Sequence, residues 1–481
     1  MTPAPGNCLV VDQGSTSTKI AVLGPEGQAL LQRTAPVERR HEGQRVTHDA
    51  AALADRLVEL VAELLDQAVT RLSSGAEVGA IGLTCQRSTC LLWDRQNGDA
   101  LTPAISWQDT SEGERVGRLS AHHRRIADLT GLRASPHYAA SKLAALIEEL
   151  PGGRQRAEAG EITAGTLDAF LVRRLTGRDS TEPGHAGRTL LCDLSSGEWS
   201  DELCALFGVP RAALPPILPS AAPRGDHRGI PVVATAGDQQ AALLGHGGWT
   251  SGRLVAHFGT GAFVLASTGS RAVRHDGLLT AVLARTPDER RFQIEGSVNA
   301  AGSAVDWACH LTGRRIEDHP DRPLDPERLP LLLPGFAGLA APFWRADARA
   351  AVRDLTFETG PEELIDATLC GVASRVIDCV EALAASGAIE GATPLRVSGK
   401  LTRLTGLVQL LADLGRRPVE VSSEEESGLQ GIRRLVAAAT GAGTAALEGP
   451  PPQGHRVEPR WGDAQAARAR SRWGEFVEAT R

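Results

Sequence analysis

The chain has 481 residues, of which 42% are hydrophobic and 23% charged, and its formal net charge is −7. That length exceeds what one core usually holds, so two domains of roughly 240 residues are expected, and the acidic balance excludes an electrostatic footprint for nucleic acid or an anionic membrane. The eight cysteines (8, 85, 90, 192, 204, 309, 370 and 379) contain no C-x-x-C pair, no apolar run approaches a membrane span, and the opening Met-Thr-Pro-Ala-Pro-Gly lacks a basic n-region, which together predict reduced, mostly buried thiols in a cytoplasmic protein.

Residues 8–12 read as a buried strand, followed by a polar turn at 13–17, a second strand at 19–23 and a turn at 24–27. A helix is predicted from Ala50 to Leu72, with Asp49 as N-cap and Leu53, Leu57, Val61, Leu64, Leu65, Ala68 and Leu72 on one face. A strand at 78–84 follows. The run 91–94 then meets Asn97-Gly98, a hairpin turn signal. Asp109 reads as a helix cap for 111–120, and His122-His123 as a solvated pair. Residues 139–150 form a helix with Leu143, Leu146, Ile147 and Leu150 on one face, and Pro215–Gly229 reads as an exposed connection.

A second cycle starts after Asp238. Strand 254–257, turn 258–262 and strand 263–268 repeat the strand–polar turn–strand plan of 8–23 in pattern, which suggests two related α/β lobes with a cleft between them. A long helix at 362–387, a strand running into a Gly turn at 395–400, a Pro-rich linker at 448–458 and a last helix at 463–478 complete the reading.

Two features carry chemistry. The turns at 13–17, which hold Gly14, Ser15 and Thr16, and at 259–261 place small residues where backbone N–H groups converge on phosphate oxygens. Between them, Ala236-Gly237-Asp238-Gln239-Gln240 holds one carboxylate among small residues, where it can approach a hydroxyl closely. Phosphate turns plus an isolated Asp point to phosphoryl transfer onto an alcohol. No Walker motif or H-R-D set is present, so the scaffold is not that of a P-loop or protein kinase. The chain has only three lysines, at 19, 142 and 400, and two of these lie in Gly/Ser/Thr-containing turns, where an ammonium can serve phosphate.

Several segments together resemble the FGGY carbohydrate kinases, and within them the glycerol kinase branch. They are Asp12-Gln13-Gly14-Ser15-Thr16, Ile81 through Arg87, Trp93-Asp94-Arg95 through Trp107-Gln108-Asp109, Ala236 through Ala242, Phe258 through Gly261, Glu295 through Gly302 with Trp307, and Phe336 through Trp344. The resemblance implies two actin-like (ribonuclease H-like) α/β domains, here 1–245 and 246–481, that close over ATP and a small polyol or sugar. It implies Asp238 as general base, Asp12 and Asp238 near Mg²⁺, and Thr16 and Lys19 facing the γ-phosphate. Thr260, Gly261 and Gly302 would contact the nucleotide, while Arg87 and Trp107, with Ser88, His137 and Gln239, would line the substrate side. Without the resemblance, Asp12 reads equally as a turn cap, Trp107 as core packing and Arg87 as half of an ion pair.

Two departures bear on specificity. Ser88 stands where the branch carries Glu, and Pro136-His137-Tyr138 where it carries Pro-Tyr-Phe, which predicts a larger acceptor than glycerol. Ser398-Gly399-Lys400, with Leu404, replaces an adenosine loop of the form Asp-Gly-Gly with a later Asn. Lys400 would block the base or reach a phosphate. The expected function is an ATP-dependent phosphotransferase acting on a small polyol or sugar, with glycerol kinase proper and a catalytically weakened ligand-binding member as alternatives. A homo-oligomeric state is left open.

Overall fold

The computed structural model describes residues 6–72, 77–424, 426–449 and 453–480. The opening run up to Pro5 and the Pro450–Pro452 stretch of the predicted linker lie outside the described residues. The chain gathers into two units. The first comprises Met1–Trp249, Ala281–Phe292 and Glu426–Pro450, and the second comprises Thr250–Thr280, Gln293–Glu425 and Pro451–Arg481. Two later segments therefore return to the first unit, so no single cut near residue 245 separates them.

The first unit is built on a six-stranded sheet in the order Asp226–His227, Ile230–Gly237, Val78–Cys85, Asn7–Gln13, Ser17–Leu23, Ala29–Pro36. The middle three strands are parallel, and their register aligns Gln13 with Cys85 and Cys85 with Gly237. Three strands thus end level with one another. The residues just before or beyond those ends, Asp12, Gln86-Arg87 and Asp238, share one edge, where open α/β sheets place ligands. Burial of the apolar strand residues fixes this register, since a one-residue slip would turn Leu9 and Val11 away from their core.

The helix Ala50–Arg71 covers that core with Leu53, Leu57, Leu60, Val61, Leu64 and Leu65, and Asp49 accepts from the Ala52 N–H at 3.0 Å, as its cap reading requires. A five-stranded sheet, Arg40–Glu42, Arg45–His48, Ala104–Ile105, Cys90–Asp94 and Ile162–Thr166, completes the unit together with the helix Ala139–Glu149.

In the second unit, Ala262–Gly269, Leu254–Phe258, Leu395–Gly399, Val419–Ser422 and Gly454–Val457 lie side by side in that order. Leu254–Phe258 is antiparallel to Ala262–Gly269 and parallel to Leu395–Gly399. The same plan governs Asn7–Gln13 in the first unit, so the predicted repetition of strand, polar turn and strand is present in both. The helix Pro361–Ala385 is buried along most of its length against this core.

Two expectations fail here. The Pro215–Gly229 connection is not an exposed loop: Ser220 and Arg224 are buried, and Asp226–His227 pairs with Ile230–Pro231. Arg224 donates to Thr235 Oγ1 at 3.0 Å and to the Pro219 carbonyl at 2.6 Å, and burial pulls its guanidinium down to about 10. Composition alone misleads because buried arginines hide in Pro/Gly-rich sequence when carbonyls can absorb their donors. Asp109 caps no long helix, since the helix there is only Gly113–Gly117. Its buried carboxylate accepts from the Val46 N–H at 2.8 Å and from Ser111, tying the Trp107 loop to the neighbouring strand. The eight cysteines are free and buried, as expected.

Candidate functional site

The first-unit turn is held open by its own bonds. The Gly14 N–H donates to the Ser17 carbonyl at 3.0 Å, and Gln13 Nε2 and Gln86 Nε2 donate to the Gly14 carbonyl at 3.0 and 3.2 Å. Thr16 lies exposed at the tip, and its carbonyl accepts from Val37 N–H at 2.9 Å. The turn is preorganised, with Ser15 and Thr16 free to face a ligand.

Asp238 is the first residue of the helix Asp238–Gly245, which leaves the strand Ile230–Gly237. Its Oδ1 accepts the Gln239 N–H at 2.8 Å and lies 3.3 Å from Arg87 Nε. Arg87 Nη1 also donates to Gln240 Oε1 at 3.4 Å. Gly237 makes this possible, because a Cβ there would sit 2.9 Å from the Arg87 side chain. The Asp238 side chain keeps 35% of its accessible surface while Arg87 keeps 9%, so the carboxylate is oriented from behind and open in front. Gln239 Oε1 is buried without a hydrogen-bond partner in the structure, which suits a side chain awaiting a ligand donor.

The helix Ser427–Ala437 brings a residue that sequence reasoning missed. Glu426, just before it, accepts from Lys19 Nζ at 2.6 and 2.9 Å. The two helices meet backbone to backbone: a Cβ on Gly431 would fall 1.8 Å from the Ala241 carbonyl oxygen. The signal for Glu426 was an acidic residue followed by the small pair Ser427-Gly428, legible only once that segment is known to return to the first unit. Lys19 is thus paired with a carboxylate that the sequence reading did not include.

Asp12 lies opposite Lys19 on paired strands. Its carboxyl is pushed up to about 7, chiefly by burial and then by the negative charge of Asp238 and Glu426, with Lys19 opposing the rise. This pocket of surplus negative charge fits a hard divalent cation, whose oxygen ligands Asp12 and Asp238 would supply.

On the substrate side, Trp107 N–H donates to Thr89 Oγ1 at 3.1 Å, and its carbonyl lies 2.9 Å from His137 Nδ1. Ser88 is held by the backbone around it. It is buried at φ 65°, and its Oγ donates to the Arg188 carbonyl at 3.2 Å. The hydroxyl is thus already bonded to main chain.

The second unit gathers its own set. The Gly302 N–H donates to the Gly259 carbonyl at 3.0 Å, and the Ala301 and Ser303 N–H groups donate to the Thr260 carbonyl, each at 3.0 Å. Thr260, Gly261 and the N-terminus of the helix Gly302–Thr312 are thus one structure. Cβ atoms at Gly261 and Gly302 would each come within 2.5 Å of a backbone oxygen. Gly399 pairs with Phe258 at φ 105°, which brings the third glycine turn alongside. The Lys400 side chain is exposed, and its charge helps hold Glu317 below the usual carboxylate range, after a backbone hydrogen bond and Arg315.

Comparison with known proteins decides the family. Residues 7–245 match the FGGY family of carbohydrate kinases, N-terminal domain, and residues 254–440 match its C-terminal domain. The chain belongs to the FGGY family of carbohydrate kinases. It is 37% identical to a glycerol kinase of Xanthobacter autotrophicus over 98% of both chains, and 35% identical to glycerol kinase 1 of Pseudomonas aeruginosa over 88% of both. The fold matches a crystal structure of Plasmodium falciparum glycerol kinase with ADP at a TM-score of 0.89 and 27% identity, covering 99% of this chain and 98% of that one. A xylulose kinase from Rhodospirillum rubrum shares the fold at a TM-score of 0.85 and 22% identity, covering 98% of both chains. This FGGY kinase binds ATP and transfers phosphate to a hydroxyl of a small polyol or sugar. Among the described residues no helix is long and apolar enough to cross a membrane.

Proposed function

We propose that the acceptor is glycerol and that Asp238 is its general base. The observation that carries the chemistry is the carboxylate of Asp238, oriented by Arg87 and the Gln239 N–H and open on its other side. The full-length likeness to proteins named glycerol kinases favours glycerol over the larger acceptor that Ser88 first suggested.

A polyol hydroxyl is a poor nucleophile. Asp238 takes its proton as the oxygen bonds to the γ-phosphorus, and the bond from that phosphorus to the bridging oxygen breaks, releasing ADP. Proton removal of this kind contributes about 10²–10⁴-fold, and positioning supplies much of the rest. Mg²⁺, held by Asp12 and Asp238, would neutralise charge on the phosphates. Gly14, Ser15 and Thr16 would receive the γ-phosphate, while Lys19, balanced by Glu426, sets the charge of the pocket. Thr260, Gly261, Gly302 and Gly399 would hold the nucleotide, with Lys400 beside it. Arg87, Trp107, His137 and Gln239 would contact the acceptor. The free, buried cysteines support a cytoplasmic setting.

An ADP-release assay over glycerol, tetritols, pentitols, ketoses and aldoses tests this, with Asp238→Ala as control. Glycerol should give the highest kcat/KM. A second reading survives through one observation, the neutral Ser88 in place of a carboxylate. It would be upheld if a four- to seven-carbon acceptor exceeded glycerol by about tenfold or more.

A further inference from the structure

Of the three lysines, Lys142 alone is wholly buried, with 1% of its surface accessible, and no carboxylate among the described residues lies within ion-pair distance of it. An unpaired ammonium in such a place is costly. What holds it is a pair of main-chain oxygens: Nζ donates to the Ser106 carbonyl at 2.7 Å and to the His137 carbonyl at 3.0 Å. Ser106 immediately precedes Trp107, and the Trp107 carbonyl in turn meets His137 Nδ1 at 2.9 Å. The two loops are therefore stitched twice, once through the imidazole and once through the ammonium beneath it. Lys142 lies on the rigid helix Ala139–Glu149, whose residues from Ala139 to Ile147 are all buried, so the anchor cannot drift.

We propose that Lys142 is a positioning residue that holds the Trp107 and His137 loops at one separation and thereby sets the width of the acceptor pocket. This rests on the reading that Trp107 and His137 face the acceptor. A point charge with several N–H donors serves two carbonyls from different loops at once, which no uncharged side chain of that length does. The buried charge strengthens both bonds; of the titratable groups that face it, the Cys90 thiol is pushed up to about 12 and stays neutral, and the Asp109 carboxylate in the loop keeps the ammonium from being wholly uncompensated. Burial still pulls the amine down to about 8.

The test uses Lys142→Met, which is one atom shorter and unbranched but removes every donor, and Lys142→Gln, which keeps one donating group. Hydrogen–deuterium exchange on the ligand-free protein reads the clamp directly. Exchange should quicken together in segments 106–110 and 135–139 in the Met variant, by about tenfold or more, and less in the Gln variant. Steady-state kinetics read the consequence. The acceptor KM should rise about 10–30-fold in the Met variant, while kcat and the ATP KM change less than threefold. Quickened exchange in one segment only, or in neither, overturns the clamp, as does a fall in kcat with the acceptor KM unchanged. If both variants are unfolded at room temperature by circular dichroism, the lysine is structural and the proposal fails. Should the wild type phosphorylate no polyol or sugar, the functional reading fails while the exchange data still judge the clamp.

Discussion

The candidate phosphate sites of the two units are built of different materials. In the first, the candidate residues are charged side chains: Lys19 pairs with Glu426 and Arg87 with Asp238, while burial and the charges of Asp238 and Glu426 push the Asp12 carboxyl up. In the second, main chain dominates. Thr260, Gly261, Gly302 and Gly399 meet through N–H and carbonyl groups, and the nearby Lys400 lies exposed. The lesson is about tolerance. A side-chain site loses function without losing the fold when one residue changes. A backbone site loses its shape when a Cβ intrudes, because the closest obstacles are carbonyl oxygens that cannot swing aside.

The sharpest way to break that contrast is Asp238→Asn. The isosteric amide keeps the helix start and removes the base, so kcat should fall by about 10²–10⁴-fold with a modest change in acceptor KM and an unfolding temperature near that of the wild type. A variant that keeps most of its kcat would remove Asp238 from the chemistry.

Next in size is Gly399→Ala. Gly399 has φ 105° and ψ 169°, and a Cβ there would stand 2.0 Å from the Phe258 carbonyl oxygen. Backbone strain of this kind costs about 1–3 kcal/mol before the clash is counted. Stability should therefore drop by roughly 3 kcal/mol, with a rise in ATP KM, measured by denaturant unfolding and initial rates. If activity falls while stability holds, the second unit does not follow the backbone rule.

Asp12→Asn tests the charged group through pH. The Asp12 carboxyl titrates near 7 in the folded protein, against an ordinary value of 3.8. The folded state therefore holds its proton more tightly than the unfolded chain. The stability this confers is fully present below about 4 and is lost as pH rises through 7. Above pH 7 the ionised carboxylate is a burden, so the Asn variant should be more stable than the wild type at pH 8 by about 1–3 kcal/mol and lose that advantage toward pH 4. It should also lose most activity, the usual exchange of function for stability at a strained charge site. Equal thermal stabilities of the two proteins at pH 8 would contradict the raised carboxyl.

Lys400→Gly should do least. The side chain is exposed, and surface charge contributes under about 1 kcal/mol. The ATP KM should shift about two- to fourfold, and less at high salt. A tenfold change in either direction would place Lys400 against the nucleotide itself.

Much of the fold was legible because burial imposes periodicity. The strands around 8–12, 78–84 and 254–257, the helix from Ala50 and the helix at 139–150 all declared themselves through apolar spacing. The candidate site could be proposed from sequence where chemistry needs small neighbours, as at Gly237-Asp238 and Gly259-Thr260-Gly261. Glu426 was not, because nothing local distinguishes it from the acidic residues around it. Lys142 was not, because a lysine in an apolar helix face looks the same in sequence whether it snorkels outward or reaches two carbonyls. Ser88 was visible as a departure, but its bond to the Arg188 carbonyl was not, since that depends on a loop a hundred residues away in the chain.

The sequence by itself determined the family, the two-lobed α/β plan and the identity of the acidic and glycine-rich motifs, because these rest on local spacing and on residue types that few alternatives replace. Tertiary structure alone decided which charges meet. Asp12 is pushed up to about 7 because the fold buries it and brings Asp238 and Glu426 near it, and Lys19 is paired only because Glu426 arrives from a segment more than four hundred residues later. Electrostatic energy depends on distance in space and on the surrounding burial, and neither is written in the order of residues along the chain.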